Sequence, residues 1–170
     1  MELKTDRLHL RTVTEADVAI IRDFGKEEFE TDEDALQWIH WVKSKNDEGR
    51  LIVVFYVWLM NTNQCIGRVY IHSKPELNRE VEVAYGIREE HRNNGYATEA
   101  AQAVVQFAFE KAGQDMLVAI AKPENTASRR VIEKLGFTNH GILTVPDENG
   151  VDCLFDYFRL HRSDWQVPAQ

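Results

Sequence analysis

The chain has 170 residues, of which 44% are apolar and 28% charged, and its formal net charge is −8. These values are ordinary for a soluble globular protein, and the length suits one domain, residues 1–170, large enough to bury its own core. The negative net charge argues against nucleic acid as the main partner, because binding phosphates needs a basic face.

The first third of the chain predicts one strand followed by two helices. Its charged start, MELKTDRLHLR, does not resemble a signal peptide. The segment LHLRTV at 8–13 alternates apolar and polar residues, as a half-buried strand does. Thr14 is the expected N-cap of a helix over 15–24, with Asp17 in a capping-box position, and a second helix is expected to start at Thr31.

The middle of the chain predicts three strands in an antiparallel meander. They lie at about 51–60, 65–72 and 79–87 and are separated by turn signals. The first of them, LIVVFYVWLM, is the longest apolar run of the chain. It is too short to cross a bilayer, so it indicates a buried strand and we expect no membrane partner.

The C-terminal half adds two helices and three strands. A helix over about 95–112 carries alanine and valine on one face, and Gly113 stands where its C-cap is expected. A central strand is predicted at 116–121, and a helix over 125–135 ends at Gly136. A final hairpin is predicted from 137–145 and 153–160. These elements predict an α/β (α+β) fold with a mixed, mostly antiparallel seven-stranded sheet and about four helices.

A short segment, RNNGYAT at 92–98, joins a strand to the long helix. The first turn of a helix leaves backbone N–H groups without partners, and the helix dipole makes that end positive. Gly95 and Ala97 are small enough to let an anion reach these donors, Thr98 can add a hydroxyl, and Arg92 can add positive charge. A phosphate-binding turn and an ordinary Asn-Gly turn both fit these residues. The Walker and Rossmann glycine patterns are absent, so a phosphate site here would be of another kind.

Four motifs in order resemble the GNAT superfamily of acetyl-CoA-dependent N-acetyltransferases. RNNGYA fits the R/Q-x-x-G-x-G/A pyrophosphate signature of that family, and EVEVAYGI at 80–87 is similar to the strand that precedes it. LKTDRLHLRTVTEADV at 3–18 resembles the opening of the RimJ/RimL-type branch, the ribosomal-protein N-terminal acetyltransferases and their relatives. NTASRRVIEKLGF at 125–137 resembles the second cofactor-contact motif. The resemblance spans nearly the whole chain.

The resemblance implies that acetyl-CoA lies in a cleft between two strands that splay apart, here about 80–87 and 116–121. The small side chains near the end of 80–87 agree with this, because they leave room for a ligand beside the strand backbone. A solvated strand face that ends in a turn is the alternative. The cofactor-binding residues implied are Tyr85, Ile87, Arg92, Asn93, Asn94, Gly95, Tyr96, Ala97, Thr98, Asn125 and Ser128.

Acetyl transfer to an amine requires a base for the amine, donors for the oxyanion and an acid for the leaving thiolate. Glu82 is the predicted base, acting directly or through a water, although a charged residue on an exposed strand face is the alternative. The resemblance implies Ser128 as the acid, because it matches a serine proposed as the proton donor in the RimJ/RimL branch, whereas Ile132 stands where many family members have tyrosine. Asp147 aligns loosely with an acidic catalytic residue of RimL-type proteins, but a simple hairpin turn there is favoured. Direct transfer without an acyl-enzyme is implied.

The acceptor is expected to be a primary amine, with a protein N-terminal amine as one form of it. Seven acids between Asp23 and Asp34 oppose only Lys26 and would attract cationic amines, although a solvated helix start explains them as well. Trp38 and Trp41 line an acceptor pocket or pack in a core. The alternatives are a small-molecule acceptor of the polyamine or antibiotic type, and a CoA-binding regulatory module that has lost catalysis. Monomer and homodimer both remain open.

The two cysteines, Cys65 and Cys153, show no metal-ligand spacing and no disulfide framework. Two free thiols in a reducing cytoplasm are expected, with a single bridge as the alternative. Neither cysteine belongs to a nucleophile motif.

Overall fold

The computed structural model describes residues 1–25, 28–74, 77, 79–146 and 151–166. The strands are β1 (Glu2–Lys4), β2 (Leu8–Thr12), β3 (Ile52–Leu59), β4 (Cys65–Ser73), β5 (Val81–Ile87), β6 (Met116–Ala121), β7 (Thr138–Pro146) and β8 (Asp152–His161). The helices are α1 (Val18–Phe24), α2 (Asp32–Asp47), α3 (Tyr96–Glu110) and α4 (Thr126–Lys134).

The strands form one sheet in the order β1-β2-β3-β4-β5-β6-β8-β7. The predicted mixed, mostly antiparallel sheet with four helices is therefore confirmed. The predicted count of seven strands is wrong by one in the described part of the chain, because β1 pairs with β2 at the edge of the sheet. Three residues are too few to show an alternating pattern, so this strand depends on its partner rather than on its own sequence.

The pairing of β5 with β6 is the irregular feature of the sheet. Strands β4 and β5 are antiparallel and pair at every position from Gly67–Ile87 to Ser73–Val81. By contrast, β5 and β6 are parallel and, among the described residues, pair only at Glu82 and Val118. A gap therefore opens between β5 and β6 toward their C-terminal ends, as the resemblance implied.

The two faces of the sheet carry separate apolar clusters, and β3 shows the division. Its odd-numbered residues, Val53 to Leu59, pack in the main core with α3 and α4. Its even-numbered residues, such as Tyr56 and Trp58, pack in a smaller core with α1 and α2. Side chains of a strand alternate between faces, so the continuous apolar run at 51–60 follows from burial on both sides.

The helix starts follow local signals. Thr14 N–H donates to the Asp17 carboxylate before α1, and Thr31 N–H donates to the Asp34 carboxylate at the start of α2, at 2.9 and 2.7 Å. Both junctions show a Thr-x-x-Asp capping arrangement, which the sequence predicted at Thr14, whereas at Thr31 it predicted only the start of a helix.

Two further observations concern the chain as a whole. No helix within the described ranges is long and apolar enough to span a bilayer. Cys65 and Cys153 are both free, as expected.

Candidate active site

The turn before α3 presents backbone N–H groups to one surface. Asn93 and Gly95 have φ values of 63° and 80°, in the left-handed region. The first helical hydrogen bond runs from the N–H of Glu99 to the carbonyl of Gly95 at 3.1 Å. No described side chain caps this helix start. The N–H groups of the first turn therefore remain available to a ligand.

Side chains behind the turn hold it in place. The Asn94 amide donates to the carbonyls of His91 and Arg92 at 3.2 and 2.9 Å. Arg7 donates to the carbonyl of Asn94 at 3.1 Å and forms an ion pair with Glu99 at 2.5 Å. Asn94, which the sequence placed among the cofactor contacts, is thus folded back into the turn and does not line the neighbouring cavity.

A cavity of about 570 Å³ lies between the end of β5, this turn, α3 and α4. The other predicted cofactor-binding residues line it: Tyr85, Ile87, Arg92, Asn93, Gly95, Tyr96, Ala97, Thr98, Asn125 and Ser128. Six further residues line it: Gly86, one of the small residues that the sequence placed beside the ligand, and five that the sequence did not predict, His91, Ala127, Arg130, Val131 and Lys134. Four of these six recur on α4 at intervals of three and four residues, a signal that helical periodicity could have supplied.

The charge of this cavity suits a phosphate ligand. Arg92, Arg130 and Lys134 line it, and none of its described lining residues is a carboxylate, in a chain whose net charge is −8. The side chain of Arg92 is oriented by a 3.1 Å hydrogen bond from Nε to the carbonyl of Ile87. Three cations around an open helix start fit the diphosphate and 3′-phosphate of coenzyme A.

Ser128 and Tyr85 form a pair of hydroxyls in this cavity. The Tyr85 hydroxyl donates to the Ser128 carbonyl at 2.9 Å and lies 3.1 Å from Ser128 Oγ. Burial raises the pKa of Tyr85, so this phenol stays protonated. The Ser128 N–H donates to Asn125 Oδ1 at 3.0 Å, which makes Asn125 the N-cap of α4. Ile132 is 1% exposed within the main core, so it takes no part in the cavity.

The backbone of β5 also faces the gap. The N–H of Arg88 donates to the carbonyl of Ile66 on β4 at 2.8 Å. Because N–H directions alternate along a strand, the N–H groups of Tyr85 and Ile87 point to the other side, where β6 diverges. A Cβ built on Gly86 would meet no atom within 4 Å, so the strand borders open space there.

Glu82 lies on the opposite face of β5, away from this cavity, and is only 5% exposed. The alternative that Glu82 is a charged residue on an exposed strand face is therefore wrong. Its Oε2 lies 3.1 Å from His72 Nε2 and 3.2 Å from Lys74 Nζ. Burial alone would raise the pKa of Glu82, but the hydrogen bond from His72 and the charge of Lys74 outweigh it and lower that pKa.

A second cavity of about 190 Å³ lies beneath α2 on this face. It is lined by Glu28, Trp38, Trp41, Val42, Ile52, Val54, Arg68, Tyr70 and His72. Both tryptophans named by the sequence thus border a cavity, and Trp38 also packs on Phe29. On β4, Arg68, Tyr70 and His72 stand opposite Gly86, Ala84 and Glu82 of β5, one strand from the gap.

Three of the six described acids between Asp23 and Asp34 are paired with arginines. Asp23 contacts Arg88, Glu28 lies 3.2 Å from Arg68, and Asp32 lies 2.7 Å from Arg22. This pairing reduces the negative rim that could attract cations. Lys26, Glu27 and Asp147, which the sequence also singled out, lie outside the described residues.

Comparison with known proteins supplies the family. Residues 7–138 match the model of the Acetyltransferase (GNAT) domain. The chain is 32% identical over 151 residues to YoaA of Bacillus subtilis, an uncharacterized N-acetyltransferase, covering 83% of this chain and 85% of that one. Its fold matches a ribosomal-protein alanine acetyltransferase from Vibrio fischeri with a TM-score of 0.79, at 19% identity and coverage of 98% and 99%. It also matches RimL, a ribosomal alpha-N-protein acetyltransferase in complex with coenzyme A, with a TM-score of 0.75, at 14% identity and coverage of 95% and 98%. The family match over most of the chain and the relative at 32% identity establish that this protein is an acetyltransferase of the GNAT family.

Proposed function

We propose that this protein transfers the acetyl group of acetyl-CoA directly to a primary amine. The observation that carries the proposal is a cationic cavity at an open helix start, bordered by the end of β5 where β5 and β6 no longer pair. The aromatic cavity beneath α2 lies on the other face of the sheet, over β3 and β4, one strand from this gap. In this proposal the two substrates would approach from opposite faces of the sheet.

The residues of the first cavity suit the parts of coenzyme A in order. The N–H groups from Asn93 to Ala97 and the side chains of Arg92 and Thr98 would hold the diphosphate. The N–H groups of Tyr85 and Ile87 would hold the pantetheine arm and polarise the acyl carbonyl. Bound acetyl-CoA supplies the activated acyl group as a thioester. The RimL neighbour, whose structure contains coenzyme A, supports this assignment of the cofactor.

Ser128 is our candidate for the proton donor to the leaving sulfur. With the Tyr85 proton directed to a carbonyl, the Ser128 hydroxyl is the mobile donor of the pair. A covalent route through Cys65 is disfavoured, because burial raises the pKa of its thiol to about 11 and a protonated thiol is a poor nucleophile. Direct transfer within a ternary complex fits both observations.

The second cavity suggests an acceptor with an apolar or aromatic group beside its amine. Six of its nine lining residues are aliphatic or aromatic, and its one carboxylate, Glu28, is paired with Arg68. A polyamine would gain little from a carboxylate that already has an arginine as its partner. The N-terminal amine of a peptide with a large apolar first residue fits this cavity better.

A thiol-release assay with four matched acceptors tests the proposal. We expect acetyl-CoA to release CoA with a phenylalanine-initiated peptide, and with spermidine at a kcat/KM about tenfold lower. The same peptide with a blocked N-terminus should release none, and a serine-initiated peptide should fall between. A failure of every free amine to accelerate release would refute acetyl transfer to amines. A preference for spermidine would leave transfer standing and refute the apolar acceptor.

A further inference from the structure

His72 stands between the aromatic cavity and the buried carboxylate of Glu82. Its side chain is 27% exposed and lines the cavity, whereas Glu82 is 5% exposed behind it. His72 on β4 pairs directly with Glu82 on β5, and Nε2 of His72 lies 3.1 Å from Oε2 of Glu82. A molecule in the cavity would therefore meet His72 before Glu82.

The hydrogen bond fixes which nitrogen of His72 carries the proton. Glu82 is ionised at neutral pH, since its pKa is lowered, and a carboxylate only accepts hydrogen bonds. Nε2 must therefore be the donor, and in the neutral ring the lone pair lies on Nδ1. Within the described part of the chain, Nδ1 has no hydrogen-bond partner. A free basic nitrogen is thus available on a residue that borders the cavity.

We propose that His72 takes the proton of the acceptor amine and that Glu82 is a positioning residue that acts through His72. The inference rests on the proposed function and deepens it. An ammonium group passes one proton to Nδ1 of His72, which releases it to solvent. The nitrogen then forms its bond to the acyl carbon, the carbon–sulfur bond breaks, and the nitrogen loses a second proton as the sulfur gains one.

The surroundings of His72 suit this role. The carboxylate of Glu82 stabilises the imidazolium that forms, as an acidic partner does for a catalytic histidine elsewhere. The Tyr70 ring lies 5.3 Å from the imidazole and restricts its rotation. Among the described residues, the other charged groups that face it are Lys74, which contacts Glu82, and the Arg68–Glu28 pair, which lines the same cavity. These groups are unchanged in the variants below.

Nitrogen NMR of the protein without substrates tests the tautomer. The His72 signals are assigned by their loss in His72→Gln. We expect the neutral ring to carry its proton on Nε2 in the wild type, and this preference to be lost in Glu82→Gln. A proton on Nδ1 in the wild type would overturn the proposal, whatever activity the protein shows.

Kinetics across pH test the proton transfer with an amine that the wild type acetylates. We expect His72→Gln to lower kcat/KM at pH 7 about 100-fold or more and to remove the decline in rate at acid pH, while calorimetry shows CoA affinity within twofold of wild type. Glu82→Gln should lose about tenfold or more and shift that decline. His40 lies 3.0 Å from Glu15 and is 62% exposed, so His40→Gln is the matched control and should stay within twofold.

The two proposals fail in different ways. An active His72→Gln with the pH profile of the wild type overturns the role of His72 and leaves acetyl transfer intact. A wild type that acetylates no amine refutes the proposed function, and the NMR tautomer then decides alone whether the His72–Glu82 pair has the arrangement inferred here.

Discussion

Gly95 is the residue whose backbone shape matters most to the proposed cofactor site. Its φ of 80° is unfavourable for residues with a Cβ by about 1–2 kcal/mol. An added Cβ would meet only Arg7, at 3.4 Å, so the cost is conformational rather than steric. We expect Gly95→Ala to lower the free energy of unfolding by about 1 kcal/mol and CoA affinity about tenfold, because the N–H groups of the turn reorient. Urea unfolding and calorimetry measure the two effects.

Gly113 provides the matched control for this substitution. It also has a left-handed φ, 66°, at the other end of α3, and its added Cβ would meet nothing within 4 Å. Gly113→Ala should therefore lose a similar free energy of unfolding and bind CoA as the wild type does. If Gly95→Ala also bound CoA normally, the turn would not be the phosphate site.

At this scale the sequence could predict features that depend on neighbouring residues only. Gly95, Asn125 and Ser128 stand in short motifs, and the structure brings them to one cavity. His72 was missed, because its approach to Glu82 depends on the register of β4 against β5. That register is set beyond Ser73, over a connection of seven residues, and no local pattern records it. The burial of Glu82 was missed for a related reason. The alternation of side chains along a strand indicates on which face Glu82 lies, but not which element covers that face.

The junction of β2 with α1 shows how one carboxylate joins two elements. Asp17 accepts hydrogen bonds from the Arg11 guanidinium at 2.7 and 2.9 Å and from the Thr14 N–H at 2.9 Å. The bond from Arg11 is the main cause that lowers the pKa of Asp17 to about 2, from an ordinary value of 3.8. The folded protein thus binds this proton less readily than the unfolded chain. The stabilisation is complete above about pH 4 and is lost as the pH falls toward 2.

We therefore expect Asp17→Asn to lower the free energy of unfolding by about 2 kcal/mol at neutral pH. The difference from wild type should remain at pH 4 and shrink at pH 3, as measured by urea unfolding. Asp32 pairs with Arg22 but is 69% exposed, so Asp32→Asn should change the free energy by less than about 0.5 kcal/mol at each pH. A loss in Asp17→Asn that is constant with pH would show that the carboxylate charge contributes nothing.

The elements that the sequence predicted well have their own start and stop signals. Thr14 caps the 3-10 turn at 15–17 that leads into α1, Thr31 caps α2, and Gly136, with a φ of 89°, follows the end of α4. β1 lacks any such signal and exists through its pairing with β2. An element that is defined only by its partner is not visible in the local pattern.

Strand order and charge distribution belong to the whole molecule. The placement of β6 beside β5, with a single pairing position, came from the family resemblance, because periodicity identifies a strand but not its neighbour. The net charge of −8 likewise hides a cationic cavity, since Arg130 and Lys134 are brought beside Arg92 only by the folding of α4 against α3. The overall charge therefore argued against nucleic acid as a partner, but it gave no indication of a local phosphate site.

Neighbouring arginines on α4 allow the cationic cavity to be tested against this negative background. Arg130 lines the cavity, whereas Arg129 is absent from its described lining and lies 3.1 Å from Asp156. We expect Arg130→Gln to weaken CoA binding about fivefold, because one charge-assisted contact to phosphate is lost. Arg129→Gln should retain CoA affinity and lose stability, since it leaves the mostly buried carboxylate of Asp156 without its cation.

Ionic strength separates a local contact from the field of the whole molecule. Raising the salt concentration from about 0.05 to 0.3 M shortens the Debye length and weakens exposed charge interactions. Calorimetric CoA affinity should fall less in Arg130→Gln than in the wild type, because one screened contact is already missing. In Arg129→Gln it should fall as in the wild type. Equal salt dependence in all three proteins would mean that Arg130 does not contact the bound phosphates and that another part of the surface attracts them.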